Sequence, residues 1–104
     1  MITTTRTRTN EATVVSRAVF IVELAFTDEP GRLEARAPHR EVVAQLHREG
    51  KIVMAGPFAD ETGALLLFNV DDETELDAIL AADPYYRHPA VHISRRQHWT
   101  PLFR

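Results

Sequence analysis

The chain of 104 residues has no cysteine. That absence removes disulfides, thiol nucleophiles and thiolate metal sites from its chemistry. Long apolar runs are missing too: nothing approaches the roughly 20 residues a membrane-spanning helix needs, so no membrane partner is expected. Positive charge is in the minority, with 12 Lys and Arg against 15 Asp and Glu, a formal net charge of −3. The charges are scattered, whereas nucleic-acid binders concentrate positive charge, so no nucleic-acid partner is expected. Only 4 glycines are present, and none forms a phosphate-cradling loop. HExxH and GxSxG are also absent, which leaves nucleotide, zinc-hydrolase and serine-hydrolase readings without a motif.

What is present reads as one globular domain. Hydrophobic residues make up 44% and charged residues 26%, and a chain this short gains from further burial by a partner subunit. The first sixteen residues, "MITTTRTRTNEATVVS", are rich in Thr and Arg and carry no apolar period. Without an apolar h-region they do not read as a secretory signal. The expectation is a flexible tail over 1–16, a domain over 17–104, and a cytoplasmic protein.

"RAVFIVELAF" (17–26) is β-branched and aromatic and predicts a strand. Both of its faces are largely apolar, one with Ala18, Phe20, Val22, Leu24 and Phe26, the other with Val19, Ile21, Glu23 and Ala25. Helical signal runs from about Leu33 to Glu49, and Gly50 is placed to end it. Ala35, His39, Val42 and Leu46 form one stripe, with Glu41, Gln45 and Arg48 on the wet side. Pro38 leaves two options: the helix kinks there, or a new helix begins with Pro38 in its first turn. "KIVMAGPF" predicts a strand closed by Gly56-Pro57, and "ALLLFNV" (64–70) another with apolar residues on both sides. Asp72 and Glu75 resemble a capping box opening a helix with Leu76, Ile79 and Leu80, which ends before Pro84. In "AVHISRRQH" (90–98), Val91 and Ile93 alternate with His92 and Ser94, a strand with one exposed side. The C-terminal "WTPLFR" adds apolar area for covering a neighbouring element.

The order β-α-β-β-α-β is the split βαβ arrangement of ferredoxin-like α+β folds, a four-stranded antiparallel sheet with both helices on one face. Strands one and three are apolar on both sides, so the face away from the helices needs cover. Burial is worth about 25 cal/mol per Å², and a second copy packed face to face would supply it. A homodimer is expected.

Two ionisable residues stand where the patterns predict burial. His39 lies in the stripe of the first helix. Asp83 follows Ile79 by four and Leu76 by seven, continuing the stripe of the second. A buried carboxylate without a partner is costly. If the two meet, the carboxylate fixes the imidazole tautomer and prepares the other nitrogen as a general base or acid near neutral pH. The plainer readings are a structural histidine and a helix-terminating aspartate. The two helices are expected to run parallel, which puts the pair at opposite ends unless His39 is well inside its helix and so favours a helix start near Leu33. Glu23, interrupting an apolar strand face, is either a buried acid or an edge residue in water. His92 and His98 share strand parity but stand about 20 Å apart if extended. His39 and His47 are about 12 Å apart on a helix. Neither pair holds one metal, and no metal site is expected.

"RAPHREVVAQLHREGKIVMAGPF" followed by "ADPYYRHPAVHI" resembles the YCII-related family. The shared pattern is Arg36-x-x-His39, Gly50 with a basic residue after it, Ala55-Gly56-Pro57, and Asp83-Pro84-Tyr85; the likeness runs from about residue 18 to 103. The resemblance implies a ferredoxin-like dimeric α/β barrel, with His39 and Asp83 as its candidate active-site pair. Some relatives look like enzymes of halogenated or hydroxylated aromatic breakdown that catalyse elimination without a cofactor. Neighbouring barrel families include lactone isomerases and cofactor-free monooxygenases. "FADETGALL" is shorter than the insertion many relatives carry, and the usual basic tail is replaced by "RRQHWTPLFR", so the substrate preference of relatives does not carry over.

The expectation is a small cofactor-independent enzyme of isomerase, lyase or dehydrohalogenase type. His39 and Asp83 would move a proton on a small aromatic or enolisable substrate, with Arg36, Tyr85, Gly56 and Pro57 as substrate-binding residues. Arg36, one turn from His39, suits an anionic group; Tyr85 either donates a hydrogen bond or wedges the turn. The alternatives are a non-catalytic small-molecule-binding module and a protein-interaction module that docks through Trp99, Phe103 and the sheet edge.

Overall fold

Side-chain alternation along the first strand decides which way the sheet faces. In the computed structural model, which describes residues 17–103, β1 (Ala18–Phe26) buries Phe20, Val22 and Leu24, while Ile21, Glu23 and Ala25 on the other side are half-exposed. The expected tail, 1–16, lies outside the described residues. After β1 come α1 (Arg32–Arg48), β2 (Ile52–Pro57), β3 (Gly63–Val70), α2 (Glu73–Ala82), a 3₁₀ turn (Pro84–Arg87) and β4 (Val91–Trp99). The strands form one antiparallel sheet in the order β2-β3-β1-β4. This is the ferredoxin-like α+β fold.

Phe20, Val22, Leu24, Leu66, Phe68 and Val70 make the sheet side of the core, and Leu76 and Leu80 of α2 close over it. From α1, the partly buried Ala35, Val43 and Leu46 pack onto the same cluster. The expected stripe named Val42; instead Val42 is 39% exposed and Val43 takes the inward place. Positions i+7 and i+8 from Ala35 flank one helical stripe, so only the packing against the sheet separates them.

The helix ends follow local rules. α1 runs unbroken through Pro38, and the Glu34 carbonyl it leaves unbonded is on an exposed residue, where water replaces the lost donor. At the other end Gly50, at φ 80, donates to the His47 carbonyl and Lys51 to that of Leu46, the paired bonds of a left-handed C-terminal cap. At α2, Asp72 Oδ1 accepts from Glu75 N–H at 2.9 Å, while Glu75 Oε1 reaches back to accept from Asp71 N–H at 2.8 Å. Lys51 closes on Glu75 at 2.9 Å. The Asp71 N–H and then this ammonium hold the Glu75 carboxyl below its usual range.

The direction of the helices differs from the expectation. β1 pairs antiparallel with both β3 and β4, and β2 antiparallel with β3. Thus β2 runs parallel to β1, and β4 to β3. Each helix must return against the strand before it, and because β1 and β3 oppose each other, α1 and α2 run antiparallel. The C-terminal end of α2 therefore lies at the N-terminal half of α1.

β4 also departs from simple alternation. Glu23 pairs with Arg95 and Leu24 with Ile93, leaving Ser94 as a bulge whose hydroxyl donates to the Glu23 carbonyl at 3.2 Å. Beyond the bulge the parity flips. Arg96 and His98 share the helix side with Val91 and Ile93, opposite Val22 and Phe20, and Arg96 pairs with Asp77 and Glu73 of α2. His92 pairs with Ala25 on the other side, so His92 and His98 do not share a face as expected.

That other side carries Ile21, Leu65 and Leu67 with Met54, and no helix lies on it among the described residues. Met54 is 66% and Trp99 42% exposed; Leu102 and Phe103, at 86%, cover no element among the described residues.

Gly63 marks the tightest approach. A Cβ there would collide with the Leu24 carbonyl oxygen of the central strand and stand 3.3 Å from the Phe58 ring. The backbone cannot yield without breaking the β1–β3 ladder. Gly63→Ala is expected to cost about 1–3 kcal/mol in urea unfolding, and an unchanged midpoint would show that the strands separate freely there.

Candidate active site

The segment Asp83-Pro84-Tyr85 ends α2 and aims a carboxylate inward. A residue before proline is pushed out of the helical region, and Asp83 is extended at φ −110, ψ 108. Pro84, lacking an N–H, suits the first position of the 3₁₀ turn. Asp83 caps that turn, Oδ1 accepting from Tyr85 N–H at 3.0 Å. Its second oxygen is left for a partner outside the turn.

That partner is His39, about two turns into α1. Nδ1 of His39 lies 2.6 Å from Asp83 Oδ2, and the residues are 8% and 2% exposed. The antiparallel helices bring them together, and the 3₁₀ turn packs directly against α1. An ionised carboxylate only accepts hydrogen bonds, so Nδ1 donates to it, and in the neutral ring Nε2 is the nitrogen left to accept. Nε2 has no protein partner among the described residues. Tyr85 stacks on the imidazole at 4.1 Å and 14°, and Tyr86 meets it edge-on at 5.3 Å and 88°. Burial, and then the nearby Asp83 charge, push the Tyr86 hydroxyl well above the usual phenol range, so it keeps its proton at neutral pH.

His39 and Tyr85 form a partition between two cavities, of about 570 and 420 Å³. The larger has an apolar floor of Leu24, Phe26, Ala64 and Leu66 from the sheet. Gly56 and Pro57 of β2 line its edge, Glu61 of the short β2–β3 hairpin its rim, and Arg32, Arg36 and Arg40 its α1 side. The smaller, bounded by Val42, Pro84 and His88, reaches Asp83. His39, Arg36, Tyr85, Gly56 and Pro57 thus meet at one cavity, and Asp83 stands behind His39. An imidazole nitrogen at such a wall can exchange a proton only with a bound group that brings an acidic or basic atom within hydrogen-bond reach.

Tyr85 is 4% exposed in its turn, and its hydroxyl accepts from Arg32 Nη1 at 3.3 Å, where the expected alternative to a wedge was a donor. The Arg32 guanidinium also lies 3.9 Å over the Phe26 ring. Arg32 and Arg40 had no place in the expected site, although their spacing of four residues on either side of Arg36 is visible in the chain. Glu23 stands apart on the open sheet face, between Leu65 and Arg95. Among the described residues no three His, Asp or Glu side chains gather as metal ligands, and no helix is long and apolar enough to cross a membrane.

The family model for the YCII-related domain matches residues 17–99. No curated protein and no solved structure matches the chain.

Removing either member of the buried pair strands the other. In a cycle of His39→Ala, Asp83→Ala and the double variant, urea unfolding is expected to give a coupling energy of about 1–3 kcal/mol. Additive losses would mean that the bond carries no net stabilisation.

Proposed function

Given that the chain belongs to the YCII-related domain family, we propose that it is a small cofactor-independent enzyme in which His39, oriented by Asp83, transfers a proton to or from a small aromatic or enolisable substrate. The observation that carries this reading is the division of labour on one ring. Nδ1 is engaged by a buried carboxylate at 2.6 Å, and Nε2, on a residue lining a cavity of about 570 Å³, has no partner among the described residues. A histidine kept only to fill the core has no need of a cavity on both sides. The cavity lies within the usual range of small-molecule sites, roughly 300–1,000 Å³.

Arg36 and Tyr85 position the substrate, with Gly56 and Pro57 exposing the β2 backbone at the cavity edge. Isomerisation, dehydration and dehydrohalogenation all begin with the proton transfer that His39 offers. General acid–base help is worth about 10²–10⁴ in rate, which suits a substrate whose carbon is already acidic.

The working unit in this reading is a homodimer closed through the open sheet face. Ile21 lies opposite Leu67 across the central strands there, with Leu65 two residues along β3 on the same face and Met54 beside Leu67 on β2. Such an apolar face is what a second sheet buries.

Two measurements test these statements. A panel of acidic carbon compounds incubated in deuterated buffer should include one that exchanges at the activated carbon, by NMR. His39→Gln, which keeps a donor for Asp83 but cannot cycle a proton, should slow exchange by about 10²–10⁴ with the fold retained. Undiminished exchange would remove the mechanism, and tight binding without exchange across the panel would mark a binding module. By sedimentation velocity the chain should have twice its monomer mass, and Leu67→Glu should halve it without changing the circular dichroism. A monomeric parent would end the dimer reading.

A further inference from the structure

The wall of the larger cavity is more specific than its volume. Arg32, Arg36 and Arg40 follow one another at four-residue steps, so their side chains neighbour each other along one stripe of α1, and all three line the cavity. Like charges at this spacing destabilise a helix. Among the described residues, none of the three has a carboxylate within ion-pairing distance, although acidic residues outnumber basic ones in the chain by 15 to 12. Arg32 is engaged otherwise, over the Phe26 ring and on the Tyr85 hydroxyl. Arg36 and Arg40 make no hydrogen bond to a described residue. Facing them is the apolar floor of Leu24, Phe26 and Leu66.

We propose that this cavity binds an amphipathic carboxylate: a flat apolar body lies on the sheet floor, and the carboxylate is held by Arg36 and Arg40. A guanidinium fork matches a carboxylate in plane, and an anion between the two arginines offsets their mutual repulsion. Arg32, fixed by Phe26 and Tyr85, positions the tyrosine that stacks on His39. Because Arg36 and Arg40 flank His39 along the helix, the charged end of the ligand comes to rest beside the imidazole. The inference rests on the cavity being the substrate site. It does not rest on proton transfer.

Binding of 2-naphthoate to the full chain by isothermal titration tests it, with 2-naphthamide as the neutral isostere and acetate as the anion without an apolar body. The naphthoate is expected to bind at least about tenfold more tightly than either. Arg36→Gln combined with Arg40→Gln should weaken it by about the same factor. Arg48→Gln, on the same helix but outside the cavity, should leave it unchanged. Equal binding of the amide, equal binding of acetate, or full affinity in the Arg36/Arg40 double variant would each overturn the proposal. Naphthoate selectivity kept in a protein that exchanges no proton would support it while removing the catalytic reading.

Discussion

A carboxylate and an imidazole bonded inside an apolar core constrain the rest of this structure. Either group alone would be expensive to bury, and the pair is tolerated because both carboxylate oxygens and the imidazole Nδ1 are bonded. Asp83 Oδ1 takes the Tyr85 amide and Oδ2 takes His39 Nδ1. To satisfy both, α2 must stop at Ala82, Pro84 must open a 3₁₀ turn, and that turn must lie against α1. The two tyrosines that follow then clamp the imidazole, one face-on and one edge-on. One bond therefore sets the end of a helix, the path of the chain and the orientation of a ring.

The same placement divides the space around His39 into two cavities of different character. On the larger side the sheet supplies apolar floor and α1 supplies guanidinium groups, so charge and grease are separated across the cavity. Arg32 links the two features, touching an aromatic ring of the floor and the hydroxyl of the tyrosine stacked on His39. An excess of acidic residues over the chain thus coexists with a local cationic wall. Net charge describes the field far from the protein, while the cavity is governed by the few groups that line it.

Much of the architecture was legible because it depends on local chemistry. The element order follows from apolar periodicity, the end of α1 from Gly50, and the start of α2 from Asp72 with Glu75. Both His39 and Asp83 were visible as ionisable groups out of place in apolar stripes. Three features were not legible. Val42 and Val43 flank the same stripe, and only contact with the sheet chooses between them. The bulge at Ser94 has no local signature, yet it sends His92 and His98 to opposite faces. Pro38 left open a kinked helix or a new helix start, and it is accommodated inside one helix because the Glu34 residue whose carbonyl loses its donor is at the surface.

The relation of His39 to Asp83 shows where the division lies. The chain alone determined that each would sit on a buried face, since periodicity and helix ends are properties of neighbouring residues. Whether the two meet depends on helix direction, which is set by how β1 and β3 pair across the sheet. Antiparallel pairing makes the helices oppose each other and brings the end of one to the beginning of the other. That pairing joins residues 38 to 52 positions apart in the chain, from Ala25 with Gly63 to Ala18 with Val70, and no local pattern encodes it.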